Sequence, residues 1–258
     1  MRVTILGSGS SGGTPQPGRG WGRCDPTNPK NRRRRPSILV ENQDTTVLVD
    51  TSPDLREQLL DADVTRLDAV VYTHAHADHL HGIDDLRGIN RNMGTAIDAY
   101  ADENTLAIIE ERFGYVLKPL PPTATSVFKP TLVPHVLNDR GSVDIGNLTF
   151  TGFTQDHGFS ETMGYRINNV GYTTDVVELP DHAFDILAGI DVWIIGTFID
   201  HPHLTHVDVD RALGWIEKLK PRRGIFTHLS QSLDHEKLAA YLPEGVEPAY
   251  DGMVIEAP

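Results

Sequence analysis

The stretch "THAHADHLHG" at residues 73–82 constrains the fold more than any other part of the sequence, because it holds four histidines and an aspartate within ten residues. It follows "LDAVVY", a short apolar run rich in β-branched and aromatic residues, which predicts a buried strand. The cluster is therefore expected where a strand ends and a loop begins. That is a common place for functional groups in proteins that alternate strands and helices.

This combination of side chains favours a site for divalent metal ions. Burying several imidazoles and a carboxylate together without partners is costly, and a cation removes that cost. Neutral imidazole nitrogens and carboxylate oxygens are ligands that zinc, manganese and iron accept. His74 and His76, two residues apart at a strand end, can share one ion, and Asp78 and His79 can reach a second.

Composition narrows the class of protein. The 258 residues are 39% hydrophobic, which is enough for a substantial core, and the formal net charge is −13. A chain this acidic is not expected to bind nucleic-acid backbones, which are held by Lys and Arg. Cys24 is the single cysteine, so no intrachain disulfide can form, and a reducing cytosol fits best. No apolar run is long enough for a signal peptide or a membrane span, so a soluble cytoplasmic protein is expected.

The order of predicted elements indicates two similar halves. Each half begins with strands and continues with alternating helices and strands, which suggests two sheets facing each other with helices outside, in one domain over residues 1–258. Strands are predicted at 2–6, 37–50 (two strands joined by a turn at 42–44), 67–73, 96–102, 131–137, 142–155, 162–175, 190–200, 223–230 and, as one closing strand, 246–257. Helices are predicted at 54–62, 83–93, 103–115, 182–189, 207–219 and 234–242.

Two further stretches suggest ligands less strongly. Gly7, Gly9 and Gly12 match the dinucleotide fingerprint G-x-G-x-x-G, but that fingerprint requires a helix to begin at the loop. The prolines and glycines that follow prevent a helix, so a tight loop is expected. The run "RRRR" at 32–35 is interpreted as a solvated run. An alternative is that one or two of its arginines flank a site for an anionic substrate.

The sequence resembles the metallo-β-lactamase superfamily, whose signature H-x-H-x-D-H is present at 74–79. The likeness extends over nearly the whole chain in the right order: "VLVDTSPD", "FTQDHGFSETMGY", "VGYTTD" and "IFTHLS" supply further family positions. The resemblance implies an αββα sandwich of two facing mixed sheets with helices outside. It also implies two divalent ions, zinc or manganese, with iron as a further candidate.

The resemblance also implies a role for each of these residues. Asp50 supports the signature by orienting a ligand histidine. Asp78 is expected to act in catalysis as well as in metal binding. The implied metal ligands are His74, His76 and His157 for one ion, Asp78, His79 and His228 for the other, and Asp175 between the two.

Within the superfamily, the chain is similar to the PhnP-like phosphodiesterases. The shared features are "LGSGSSGGTPQPG", "RGWGRCDP", the arginine run before "PSILV", "THLS" and "YDGM". That group carries a separate structural zinc held by three cysteines and a histidine. Here Arg23, Asp25 and Asn28 stand where cysteines would fall, Gln231 replaces the histidine, and Cys24 is out of register. We therefore expect no structural zinc in the 21–31 loop.

His206 is expected to be catalytic. It matches the family's catalytic histidine, which donates a proton to the leaving oxygen, and Asp208 is a plausible N-cap of the helix that follows. A further metal site formed with His201 and His203 is not favoured, and these two histidines are interpreted as surface residues that could also line a pocket. His81, His135, His182 and His235 are interpreted as structural or surface residues.

The expected function is hydrolysis of cyclic or other small phosphodiesters, in some cases related to nucleotides, by a binuclear metal centre. Two alternatives stay open at this point. One is another hydrolase on the same scaffold, namely a tRNA-processing nuclease, a lactonase or a thioesterase. The other is a metal-binding accessory or carrier protein like PqqB. The expected partner is a small phosphodiester, without membrane association, and whether the protein forms a homodimer is left open.

Overall fold

The strands form two seven-stranded mixed sheets in the computed structural model, which describes residues 1–258. In spatial order, the first sheet contains β14 (Val254–Glu256), β1 (Arg2–Gly7), β2 (Ser37–Asn42), β3 (Thr45–Val49), β4 (Ala69–Val71), β5 (Ile97–Ala101) and β6 (Leu132–Val136). The second contains β13 (Val246–Pro248), β12 (Arg223–Thr227), β11 (Val192–Gly196), β10 (Val170–Thr173), β9 (Glu161–Ile167), β8 (Leu148–Asp156) and β7 (Ser142–Ile145).

Seven α-helices connect these strands: α1 (Leu55–Asp61), α2 (Ala77–Leu80), α3 (Leu86–Met93), α4 (Glu103–Leu117), α5 (Asp181–Leu187), α6 (Val209–Leu219) and α7 (His235–Tyr241). The side chains of Asp102, Asp208 and Asp234 cap α4, α6 and α7 by accepting hydrogen bonds from backbone N–H groups in the first turn. None of the helices combines the length and the apolar character that a bilayer crossing requires.

Alternation along the strands produces three apolar layers. Val47 and Val49 of β3 pack in the central layer between the sheets, whereas Leu48 faces the helices beside the first sheet. In the second sheet, Ile194 joins the central layer and Trp193 faces the helices on the other side. Each fully buried aliphatic side chain contributes about 1.5–3 kcal/mol. The predicted αββα sandwich is confirmed.

Strand direction places the ends of many strands on one side of the molecule. In the first sheet, β3, β4, β5 and β6 are parallel, and β1 has the same direction because it is antiparallel to β2. In the second, β10 to β13 are parallel, and β8 has the same direction because both β8 and β10 are antiparallel to β9. The carboxyl ends of strands in one sheet therefore meet at one edge, where ligand sites of such sheets are found.

The prediction of one closing strand at 246–257 is wrong. The segment forms two strands in different sheets: β13 pairs with β12, and β14 pairs with β1. Between them the chain turns at Gly252, which has a φ of 83°. The carboxylate of Asp251 stabilises this turn by accepting hydrogen bonds from the backbone N–H groups of Ser8 (2.9 Å) and Arg34 (2.7 Å).

The interpretation of residues 32–35 as a solvated run is wrong for Arg33. Arg32 is exposed and lies over the ring of Trp21, but Arg33 is only 2% exposed. The Arg33 guanidinium donates hydrogen bonds to the carbonyl oxygens of Leu233 (2.7 Å) and Ser230 (3.1 Å) and to Oδ1 of Asn31 (3.1 Å). A side chain with five fixed donors can satisfy several acceptors at once, so burial is tolerated here.

The same network joins the 21–31 loop to the segment that precedes α7. Asn31 Nδ2 donates to Oδ2 of Asp234 (2.7 Å), which also accepts from the backbone N–H of Asp25 (3.0 Å). Cys24 is buried, and its thiol lies 3.9 Å from the Arg33 guanidinium. The positively charged side chain of Arg33 therefore links these two segments.

Substitution of Arg33 should destabilise the fold. Arg33→Met removes donors from three buried acceptors, and we expect the free energy of unfolding to fall by about 2–4 kcal/mol. Chemical denaturation monitored by circular dichroism measures this value. Arg32→Met is the matched control, because Arg32 is the adjacent arginine and its side chain is exposed. It should lower the free energy of unfolding by less than about 1 kcal/mol. Equal losses in the two variants would contradict the structural role of Arg33.

Candidate metal centre

The seven predicted ligands lie at or shortly after the carboxyl ends of four strands. His74 and His76 follow β4, and the short helix α2 then carries Asp78 and His79. The other three follow strands of the second sheet: His157 comes after β8, Asp175 after β10 and His228 after β12. The two sheets thus bring residues 74 and 228, far apart in sequence, to one site. The loop expected after His76 is a helix of four residues, Ala77–Leu80.

Left-handed backbone geometry recurs at this site. Asp50, Asp175 and His228 have φ values of 64°, 49° and 56°, which non-glycine residues adopt at a cost of roughly 1 kcal/mol each. All three are buried and stand just beyond the ends of β3, β10 and β12. Such conformations cluster at functional sites, where the surrounding structure enforces them. The sequence gives no signal for this geometry.

The first group of side chains consists of His74, His76 and His157. One ring nitrogen from each lies within 4.8 Å of the other two. Burial lowers the pKa of His74 well below its ordinary value and also lowers that of His76. Both rings are therefore neutral near pH 7, and the neutral imidazole is the form that binds metal ions.

The second group consists of Asp78, His79, Asp175 and His228, all buried, with ligand atoms within 4.8 Å of one another. Oδ2 of Asp175 lies 3.0 Å from Nε2 of His79 and 3.4 Å from Nε2 of His228. Oδ2 of Asp78 lies 3.5 Å from each of the same two nitrogens. Two carboxylates and two imidazoles thus face a common point.

Asp175 stands between the two groups. Its Oδ2 faces the second group, whereas its Oδ1 lies 3.8 Å from Nε2 of His157, a member of the first. Burial raises the pKa of Asp175, but the charges of His228 and His79 outweigh burial and hold that pKa well below the usual range. Asp175 is therefore a carboxylate with one oxygen directed at each group.

Asp50 orients His79. Its carboxylate accepts hydrogen bonds from Nδ1 of His79 (2.6 Å), from the backbone N–H of Thr73 (2.8 Å) and from the Thr73 hydroxyl (2.8 Å). The proton of His79 on Nδ1 leaves Nε2 facing Asp78 and Asp175. A carboxylate that fixes the tautomer of a ligand histidine is a common feature of metal sites.

The donor set fits divalent cations. The buried Nε2 atoms of His74, His79 and His228 have no hydrogen-bond partner, although buried polar atoms normally have one. Burial lowers the pKa of His79, but Asp175, Asp78 and Asp50 outweigh burial and raise it well above its ordinary value. Three carboxylates around one imidazole therefore favour a positive charge at this point, and a divalent ion supplies it.

His206, which is predicted to be a proton donor and not a metal ligand, lies next to the ligand groups. Its Nδ1 is 3.8 Å from Oδ1 of Asp175, and it forms a third set of neighbouring donors with Asp175 and His157. Its ring contacts the rings of both Phe198 (centroids 4.7 Å apart) and His228 (5.1 Å), which are also close to each other (6.3 Å). Burial lowers the pKa of His206 to about 3, so the ring is neutral before substrate binds.

The remaining histidines lie outside these three groups. His135 pairs with Asp98 (2.8 Å) and His182 with Asp139 (2.9 Å), both at the surface. His81 is exposed beside Phe113, at a ring-centroid distance of 5.6 Å.

The glycine-rich loop after β1 contains no helix, as expected, and its Ser10 is joined to Leu229, next to His228, by a backbone hydrogen bond of 3.2 Å.

Sequence reasoning missed the contribution that the segment between β11 and α6 makes to this site. The carbonyl oxygen of Thr205 accepts a hydrogen bond from Nδ1 of His157 (2.6 Å), so the loop before α6 fixes a histidine of the first group. Phe198, which stacks on His206, lies between β11 and that loop. Phe198 belongs to no recognisable motif, and the "HPHLTH" pattern drew attention to its histidines rather than to the backbone of Thr205.

Comparison with known proteins agrees with the fold. The family model described as "Beta-lactamase superfamily domain" matches residues 45–229. The crystal structure of a new diphosphatase from the PhnP family is 34% identical, with a TM-score of 0.88, and the match covers 100% of this chain and 98% of that one.

Two curated relatives are also similar. An octanoyltransferase of Porphyromonas gingivalis is 30% identical over 98% of this chain, but this chain spans only 51% of that relative's length. The coenzyme PQQ synthesis protein B of Methylobacterium radiotolerans is 27% identical over 87% of this chain and 82% of its own length. The residues matched by the family model and the full-length similarity to the PhnP-family structure establish that this chain is a PhnP-like member of the metallo-β-lactamase superfamily.

Proposed function

We propose that this protein is a binuclear metal-dependent hydrolase that cleaves phosphate diesters of small molecules. The observation that carries the proposal is Asp175, whose two oxygens face two separate groups of histidines. Such a carboxylate suits a pair of ions better than one ion. The full-length similarity to a PhnP-family diphosphatase supports a phosphorus-containing substrate.

Each of the two groups of residues would hold one ion. His74, His76 and His157 would bind the first through neutral imidazoles, and Asp78, His79 and His228 the second, with Asp175 contacting both. When bound, a pair of divalent ions lowers the pKa of a water molecule and offsets negative charge that develops on phosphoryl oxygens. Zinc, manganese and iron all accept this donor set.

His206 is proposed as the proton donor to the leaving oxygen. Contacts with the rings of Phe198 and His228 fix its ring beside the ligand groups. Burial lowers its pKa to about 3, and the negative charge of a phosphate next to the ring would raise that pKa.

A substrate panel tests the proposed function. The protein, loaded with manganese or zinc, is assayed with bis(p-nitrophenyl) phosphate, 2′,3′-cyclic AMP, a dinucleoside diphosphate, an octanoyl thioester and a lactone. We expect turnover of phosphate diesters or diphosphates. Turnover confined to the thioester or the lactone would assign another hydrolase activity, and no turnover with any substrate would favour a metal-binding accessory protein.

Metal content provides a direct prediction. We expect two divalent ions per chain after reconstitution, measured by plasma mass spectrometry on dialysed protein. Asp175→Ala should lower this ratio, because both groups lose a carboxylate oxygen. A ratio of one that Asp175→Ala leaves unchanged would contradict the two-ion assignment. A third tightly bound ion that disappears in Cys24→Ser would contradict the expected absence of structural zinc.

Asp50→Asn should weaken metal binding without removing a ligand. The amide nitrogen of asparagine would donate to Nδ1 of His79 and move the ring proton to Nε2, where it blocks coordination. We expect the affinity for the second ion to fall about 10- to 100-fold, measured by competition with a chelating dye. Asp63→Asn is the matched control, because Asp63 also has a positive φ (53°) but is exposed. Equal effects in the two variants would exclude this role for Asp50.

His206→Ala should affect substrates according to their leaving groups. Hydrolysis of diesters with alkyl or ribose leaving groups should slow by roughly 10²–10⁴-fold, which is typical for loss of a positioned general acid. A p-nitrophenyl diester should slow much less, because p-nitrophenolate leaves without a proton. Both substrates are compared in wild type and variant at equal metal content. Equal slowing would mean that His206 positions substrate, and loss of metal would make it a ligand.

A further inference from the structure

A series of histidine rings leads from the ligand groups to solvent. The ring of His228 lies 5.8 Å from that of His79 and 5.1 Å from that of His206, measured between centroids. The ring of His203 follows at 5.5 Å from His206 and is exposed. His203 therefore lies one ring further from the metal ligands than the proposed proton donor, and its side chain is exposed.

Local contacts fix the ring of His203 despite its exposure. Its centroid lies 5.0 Å from that of Phe198, the same ring that stacks on His206. Its Nδ1 accepts a hydrogen bond from the backbone N–H of Thr205 (3.3 Å), and the Thr205 hydroxyl lies at the same distance. Because the carbonyl oxygen of Thr205 binds His157, the ring of His203 is positioned relative to a proposed metal ligand.

These contacts determine which nitrogen of His203 can donate. A neutral imidazole has one N–H and one acceptor nitrogen, so a ring that accepts at Nδ1 carries its proton on Nε2. Burial of part of the ring lowers the pKa of His203, which favours this neutral form. The Nε2–H group is therefore a donor available to a molecule that enters the site.

The other polar side chains joined to this loop, Arg23 and His201, are already paired with Asp200. Arg23 is paired with Asp200 at 3.2 Å, so its charge is largely compensated. His201 is tied to the same aspartate, through Nδ1 at 2.8 Å. His203 has no carboxylate partner, so its imidazole, unlike that of His201, is not tied to an acidic side chain.

Building on the proposed function, we propose that His203 is a substrate-binding residue that donates its Nε2–H to a phosphate oxygen beyond the scissile phosphorus. It would thereby favour diphosphate diesters over diesters with a single phosphoryl group. His206 is proposed to act on the oxygen that leaves the reacting phosphorus, and His203 is the next ring beyond His206. A second phosphoryl group attached through that oxygen would therefore lie near His203, which takes part in no bond-breaking step. A contact of this kind strengthens ground state and transition state alike, so it affects KM rather than kcat.

Steady-state kinetics with two substrates test the inference. The substrates are di(adenosine-5′) diphosphate and bis(p-nitrophenyl) phosphate, assayed with the zinc- or manganese-loaded protein. For His203→Ala we expect KM for the diphosphate to rise roughly ten-fold with little change in kcat, the usual effect of losing one hydrogen bond to a charged group. KM for bis(p-nitrophenyl) phosphate should change less than about two-fold. His203→Gln, whose amide nitrogen can replace Nε2–H, should restore most of the loss.

The adjacent histidine supplies the control. His201→Ala removes an exposed imidazole of the same loop that is held by Asp200, and both KM values should stay near those of wild type. Equal changes for the two substrates in His203→Ala, or failure of His203→Gln to restore binding, would overturn the inference. Hydrolysis of bis(p-nitrophenyl) phosphate without any hydrolysis of the diphosphate would overturn it too, while the proposed function would stand.

A spectroscopic measurement separates this inference from the proposed function. Long-range ¹H–¹⁵N correlation spectra should show His203 with its proton on Nε2, and titration with inorganic diphosphate should shift that resonance while the resonances of His201 stay in place. If wild type hydrolyses neither substrate, the proposed function is wrong, and the titration still decides the binding role. A proton on Nδ1, or no shift with diphosphate, would overturn the assignment of His203.

Discussion

The buried carboxylate of Asp50 is the interaction on which the centre depends. It is completely inaccessible to solvent, so its charge must be balanced by donors from the protein. Thr73 and His79 supply three hydrogen bonds, and these connect the end of β3 to the end of β4 and to α2. The same bonds decide which nitrogen of His79 faces Asp78 and Asp175. One carboxylate therefore both joins these elements and orients a proposed ligand.

Contacts between the sheets hold the two halves of the ligand set in register. The backbone N–H of Met163 in β9 donates to the carbonyl oxygen of Thr73 (2.8 Å), and the Tyr165 hydroxyl donates to that of Tyr72 (2.7 Å). Residues 72 and 73 come directly before the signature, so the second sheet contacts the first where the histidines begin. Left-handed turns at Asp175 and His228 then direct these side chains toward the same point, at a local cost that core packing offsets.

Periodicity and spacing were sufficient to predict most strands, the αββα layers and the position of the histidine cluster. They failed where tertiary contacts decide the outcome. Residues 246–257 are apolar enough for one strand, but the hydrogen bonds of Asp251 to Ser8 and Arg34 turn the chain between the sheets. The buried state of Arg33 was equally hidden, because its acceptors are carbonyl oxygens of residues about 200 positions away. The left-handed turns leave no pattern in a single sequence.

The loops around the centre are coupled to its ligands through backbone atoms. Thr205 accepts from His157 with its carbonyl oxygen and donates to His203 with its N–H, so one residue contacts a proposed metal ligand and a proposed substrate-binding ring. On the opposite side, Arg33 holds the carbonyl oxygen of Ser230, two residues after His228. A change of substrate can therefore be accommodated by side chains such as His203, while backbone hydrogen bonds and the Arg33 network keep the ligands in place. One fold can carry different activities because function depends on the side chains of the site rather than on the fold itself.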